Sequence, residues 1–270
     1  MSILNKINRK FLKLYGYSKC VRQPNPIKPG KVVVTLFHDF EGDYSGKGRG
    51  EPCIEAAHEM LRIQLDHGVT CTYNTVAKLA NDHIVFIKKI VDAGNEIASH
   101  SYDHKLLSCM DSQQQYNDID NASKLFKKIG YAISGLRCPQ SLWTRSVMAN
   151  ILDYNYKWSA ENGNEPHPYI YHKYKDHCLW RFPIRGDDWM YQSDCALPEK
   201  MVDYWKGLVI QERTRGRYAA IGFHPWIEYG EQRLDAYESF LQWLTNQDDV
   251  EIVPFGKLCE QLNQYNKDII

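Results

Sequence analysis

A chain of 270 residues is long enough to bury a sizeable core, as one large α/β domain or two small ones, and one is expected. Its 33 lysines and arginines match its 33 aspartates and glutamates, so bulk charge draws it neither to nucleic acid nor to a polyanionic substrate. Eight cysteines without a CxxC pair give no zinc ribbon and no compact disulfide framework, and a reduced, cytoplasmic setting is the simplest reading.

At the start, Ile3, Leu4, Ile7, Phe11 and Leu14 fall at helical spacing while Lys6, Arg9, Lys10 and Lys13 point elsewhere. This predicts a short basic amphipathic helix, either packed on the domain or frayed, or else touching the inner face of the membrane through residues 1–15. It lacks the uninterrupted apolar stretch of a secretory signal, and no run approaches the ~20 apolar residues that span a bilayer. Pro24, Pro26 and Pro29 make residues 23–30 an extended linker. Residues 1–30 therefore read as an extension and 31–270 as the folded domain.

Lys31 to Phe37 is a continuous β-branched and apolar run, the pattern of a strand buried on both faces. It delivers His38-Asp39-Phe40-Glu41 at its C-terminal end. The glycines of Tyr44 to Pro52 suggest a phosphate loop, but Glu51 stands where the third glycine of GxGxxG belongs and no Gly-Lys-Ser/Thr follows. This stretch is expected to be a mobile loop near the site, with Lys47 and Arg49 on it.

Helices and strands then alternate. Helices are expected over 54–67, 84–93, 112–129, 146–152, 201–212 and 237–245, and strands over 69–73, 96–99, 133–136, 156–159, 179–183, 218–223 and 250–253. Regular βα alternation with polar residues at strand C-termini predicts a (β/α) barrel or an open doubly wound sheet. The 96–99 strand leads into His100-Ser101-Tyr102-Asp103-His104. If that segment turns helically, both imidazoles face one side and suit a divalent metal.

Four strand ends thus carry chemistry: Asp39/Glu41, His100/His104, Arg137 and His224. A two-histidine, one-carboxylate site leaves room for a water whose pKa a metal can lower from 15.7 toward ~7. A neighbouring carboxylate can take the proton, His224 can protonate a leaving amine, and Arg137 can orient the carboxylate. Two registers are open for the first cluster. Either His38 is the base and Asp39 binds metal, or Asp39 is the base and Glu41 the ligand. Alternate strand positions share a face, so Asp39 and Glu41 point together and His38 away, which favours the second. Trp143, Trp189 and Trp226 are candidate platforms for a sugar face.

Gly94-Asn95-Glu96-Ile97-Ala98-Ser99-His100-Ser101-Tyr102-Asp103-His104 closely resembles the histidine motif of the polysaccharide deacetylases of NodB-homology type, carbohydrate esterase family four. Leu136-Arg137-Cys138-Pro139 is similar to the family's R-x-P motif, and Gly222-Phe223-His224-Pro225-Trp226 to its late histidine motif in the His-Pro-Trp form. The resemblance runs from about Lys31 to Leu262. It implies a distorted, incomplete (β/α)7 barrel that binds one divalent metal, zinc above all, and hydrolyses N-acyl groups on sugars, with Pro139 and Asp188 beside the substrate. It also implies a setting in surface-polysaccharide synthesis. Two departures stand out: the usual T-F-D-D-G is replaced by Leu36-Phe37-His38-Asp39-Phe40-Glu41-Gly42, and no D-x-x-D-W follows the Trp158 strand, where Asp187-Asp188-Trp189 can stand in for it after an insertion rich in Tyr and His. Two other readings share the scaffold: an allantoinase-like amidohydrolase of a small amide, and an inactive glycan-binding barrel, which the altered first motif favours.

Overall fold

The computed structural model describes residues 24–174, 177–192 and 197–269. The basic stretch over residues 1–15 lies outside them. Ten strands form one curled sheet: β1 (Val32–Phe40), β2 (Thr72–Thr75), β3 (Glu96–Ser99), β4 (Gly135–Leu136), β5 (Trp158–Asn162), β6 (Tyr169–Tyr174), β7 (His177–Ile184), β8 (Gly186–Asp187), β9 (Tyr218–Phe223) and β10 (Val250–Ile252). Their order is β6-β7-β5-β4-β3-β2-β1-β9-β8, with β10 beside β1. Every pairing is parallel except the β6-β7 hairpin.

The way the ends of that order meet decides between barrel and open sheet. Only Arg185 separates β7, which pairs with β5, from β8, which pairs with β9. One chain segment thus closes the ring, giving seven parallel positions: β7/β8, β5, β4, β3, β2, β1 and β9. The closure is distorted because β4 and β8 are two residues long and β3 meets β4 through a single pair, Ser99 and Leu136. This is the expected incomplete (β/α)7 barrel, and the doubly wound alternative falls.

Helices α1 (Gly50–Asp66), α2 (Ala77–Asp82), α3 (Ile84–Asp92), α4 (Ser112–Lys128), α5 (Arg145–Asp153), α6 (Pro198–Glu212), α7 (Glu231–Thr245) and α8 (Phe255–Ile269) accompany the strands. Along β1 the side chains alternate as a strand requires. Val32, Val34, Leu36 and Phe40 join the cluster beneath α1, α6 and α7, while Val33 and Phe37 turn into the barrel. There they meet Trp158, Phe182 and Tyr218, with Phe255, Leu258 and Leu262 of α8 in the same cluster.

Several boundaries differ from expectation. The loop after β1 is shorter, since residues Gly42–Ser45 form a 3-10 turn and α1 already begins at Gly50. The Tyr- and His-rich insertion contains β6, and α2 and α8 also went unforeseen. Residues 24–30 are not a detached linker: Ile27 is buried, Asn25 Nδ2 donates to the Gly216 carbonyl at 2.7 Å, and Arg217 donates to the Ile27 carbonyl at 2.7 Å.

Candidate active site

Strand β1 ends by directing Asp39 and Glu41 to the C-terminal mouth of the barrel. Gly42 follows with φ of +54°, a left-handed conformation that a Cβ would strain. The turn it opens presents the Tyr44 carbonyl to His104 Nδ1, which donates to it at 2.9 Å. His100 Nδ1 likewise donates to the Arg137 carbonyl at 2.8 Å. With both Nδ1 protons committed to carbonyls, each ring turns an Nε2 lone pair toward Glu41. His104 Nε2 lies 3.0 Å and His100 Nε2 3.4 Å from Glu41 Oε1.

The route to this arrangement is not the expected helical turn. Residues 100–106 are irregular, and Ser101 and His104 both have positive φ, 70° and 61°. The His104 N–H donates to Ser101 Oγ at 2.9 Å, which braces the bend. A short folded-back loop, rather than one helix face, brings the two rings to 4.9 Å between centroids.

Whether these three residues fit a metal can be judged from their spacing and protonation. Donor atoms about 2.1 Å from a tetrahedral zinc lie about 3.4 Å from one another, close to the separations found around Glu41 Oε1. His104 Nε2 is buried and receives no hydrogen bond, so two imidazole lone pairs and a carboxylate oxygen converge with nothing positive between them. Such a set calls for a proton or a cation. Burial pushes the His104 imidazole down, but Glu41 more than reverses it. Burial also works against ionising Glu41, yet the His100 and His104 imidazoles that face it hold it well below the usual carboxylate range. The donor set fits a divalent ion.

Asp39 occupies the next position. Arg137 Nε donates to its Oδ2 at 2.6 Å, and Asn74 Nδ2 donates to its Oδ1 at 2.9 Å. Burial raises the Asp39 carboxyl, but the Arg137 guanidinium, then His100 and His224, outweigh this and keep it below its ordinary value. His224 Nε2 stands 3.5 Å from Asp39 Oδ2 and 3.9 Å from Glu41 Oε1. Behind it, Asp188 accepts from the His224 backbone N–H and from Nδ1, both at 2.6 Å. Burial alone would lower the His224 imidazole; Asp188, with Glu41 and Asp39 beyond it, raises it to about 10. Burial pushes the Asp188 carboxyl up while His224 pulls it down. With two N–H groups donating to it, Asp188 is the partner that carries the negative charge.

Five expected site residues therefore meet Arg137 at one mouth: Asp39, Glu41, His100, His104 and His224. Others stand elsewhere. His38 shares the outward face of β1 with Leu36 and Phe40, stacks on Tyr73 at 4.5 Å and takes a hydrogen bond from Gln64 at 2.7 Å, so it cannot reach the cluster as a base. Burial pushes its imidazole down to about 3. Trp143 packs beneath α5 against Tyr171 and the Arg181 guanidinium, outside the barrel, which removes it from the sugar platforms. Trp226 is buried and donates Nε1 to Glu41 Oε2 at 3.3 Å, a support for the carboxylate instead of a platform. Asp188, fully buried behind His224, is not a substrate contact either. Pro139 is buried at the start of the 3-10 turn Pro139–Ser141 that follows Arg137. Trp189 alone of the three tryptophans is open, 40% exposed, edge-on to His224 at 5.5 Å, with the Lys47 ammonium 5.4 Å over its ring.

Asn74 escaped the sequence reading. Its signal was an amide near the end of a short strand, a residue type that strands disfavour unless it has a polar task. The Tyr44 carbonyl had no signal at all, because its part is played by backbone.

The polysaccharide deacetylase family model matches residues 28–158. Among solved structures, a protein from Mycobacterium smegmatis described as a polysaccharide deacetylase is 19% identical, with a TM-score of 0.82 over 91% of this chain and 96% of that one. One from Pseudomonas aeruginosa PAO1, described likewise, is 17% identical with a TM-score of 0.77, over 93% and 96%. The PuuE allantoinase is 16% identical with a TM-score of 0.76, over 94% and 95%. At such identities the likeness to these structures is one of fold.

Proposed function

We propose, from the polysaccharide deacetylase model matched over residues 28–158 and the shared fold, that the chain acts as a deacetylase of that family and removes an N-acetyl group from a sugar unit at the mouth occupied by Asp39, Glu41 and His224. The observation that carries this reading is the juxtaposition, within 3.5 Å, of a carboxylate paired to arginine and a histidine backed by a carboxylate, beside two further imidazoles aimed at Glu41.

Glu41, His100 and His104 would hold the divalent ion, which supplies a Lewis acid for the acyl carbonyl and makes water easier to deprotonate. Zinc is the ion we assign, on the imidazole and carboxylate donors. Asp39, kept ionised by Arg137 and oriented by Asn74, takes a proton from the attacking water as its oxygen bonds to the acyl carbon. The C–N bond then breaks, and His224 gives its Nε2 proton to the departing amine while Asp188 holds its Nδ1. Acetate and the free amino sugar leave, and the proton held by Asp39 returns to solvent or to His224. Trp189 offers the exposed ring at the mouth on which a sugar face can stack. A surface polysaccharide under assembly in the cytoplasm is the setting we assign, on the family likeness.

Acetate release from N-acetylated oligosaccharides by the metal-loaded protein tests the reading. Release that disappears in Asp39→Asn and His224→Ala supports it. Metal binding with no acetate released from any N-acetylated sugar would leave a glycan-binding barrel in its place.

A further inference from the structure

Glu228 lies four residues beyond His224, in the turn that follows β9, and is fully buried. Its backbone N–H donates to the His224 carbonyl at 3.1 Å, so the turn fixes it behind the imidazole. Neither of its carboxyl oxygens receives a hydrogen bond from any donor among the described residues. An ionised carboxylate so placed would give up its hydration with no hydrogen bond to replace it, a loss that the charge of Arg233 offsets only in part. The group it meets is another acid, the Asp188 carboxyl, whose charge bears on it from close by. Two carboxyls so placed can share a hydrogen bond only if one of them keeps its proton. Asp188 already accepts two N–H groups from His224, one on each oxygen. Asp188 is thus the acceptor and Glu228 the donor.

We propose that Glu228 is a positioning residue: a carboxylic acid that stays un-ionised, donates its O–H to Asp188, and so holds Asp188 against the two nitrogens of His224. The proposal rests on the reading of His224 as the proton donor to the leaving amine. Burial supports the un-ionised state, since it pushes the Glu228 carboxyl well above its ordinary value and the charge of Asp188 adds to the push. The chain His224, Asp188, Glu228 runs from the mouth into the protein. Its far end touches no substrate, so the effect of breaking it falls on turnover and not on substrate binding.

Two variants and one spectrum test this. Glu228→Leu removes the donor at similar size, while Glu228→Gln keeps a neutral donor N–H. Glu228→Leu is expected to lower kcat about 10- to 100-fold, the range for a partner that orients a working histidine, with KM and metal content unchanged. Glu228→Gln should restore kcat to within about 3-fold, because one N–H replaces one O–H. The difference infrared spectrum of wild type minus Glu228→Gln at neutral pH should contain the C=O band of a protonated carboxyl. That band needs no turnover and no folded leucine variant, so it reports on Glu228 even if no acetate release is found. Absence of the band overturns the proposal, as does a Glu228→Leu protein with wild-type kcat or a Glu228→Gln protein as slow as Glu228→Leu.

Discussion

Two buried histidines stand at the ends of neighbouring strands and come to opposite states. His38 pairs in register with Phe223, the residue before His224, and each ring is at most 4% exposed. His38 faces outward to a neutral network of Gln64, Tyr73 and Tyr237, and burial takes its imidazole down to about 3. His224 faces the cluster with a carboxylate at 2.6 Å behind it and is held up at about 10. Depth is the same in both, so desolvation cannot be what distinguishes them. What distinguishes them is whether a carboxylate stands against the ring, and strand parity decides that.

The comparison can be sharpened first at the residues with the largest expected effect. His100→Ala or His104→Ala should take metal content to background and acetate release with it, because a three-residue set cannot lose one member and still hold its ion. Elemental analysis of the purified variants checks this; stoichiometric metal in either one refutes the assignment. Next, His224→Ala should lower turnover about 10²- to 10⁴-fold, the usual worth of a general acid, with metal near the wild-type level. Turnover equal to wild type would remove His224 from the chemistry.

His38 should respond in stability instead. Its folded pKa of about 3 lies below its ordinary 6.5, so the folded chain binds fewer protons than the unfolded chain. The stability it contributes is present above pH 6.5 and is lost as pH falls toward 3, by up to about 1.4 kcal/mol per pH unit. His38→Gln should flatten that acid limb in urea melts while leaving turnover per folded molecule within about 3-fold of wild type, as befits a residue outside the cluster. A His38→Gln protein that keeps the full acid slope, or that loses turnover, would break the contrast between the two histidines.

Much of the barrel was legible because its strands are written locally. β3 and β9 were placed residue for residue, and β1 was found from a continuous apolar run even though it extends three residues past Phe37. Parity along β1 by itself separates Asp39 and Glu41 from His38. β6 was hidden because Tyr169 to Tyr174 mixes aromatic and charged residues without a clean period, its hairpin partner supplying the order instead. The tryptophans misled for a related reason. Trp143, Trp189 and Trp226 look alike in sequence, yet only tertiary packing sends one beneath α5, one to the mouth and one against Glu41. The bend at Ser101 and His104 was also illegible, since neither residue type advertises a positive φ as glycine does. Asp188 was noticed, but its task is defined by His224, 36 residues away.

The central claim is that Asp39 and Glu41, two residues apart on one face, divide the labour of base and ligand. The direct test measures bound metal and acetate release side by side in Asp39→Asn and Glu41→Ala. We expect Asp39→Asn to retain a full complement of metal while losing at least about 100-fold in turnover, and Glu41→Ala to lose both metal and activity. An Asp39→Asn protein with an empty site, beside a Glu41→Ala protein whose site stays full, would contradict it.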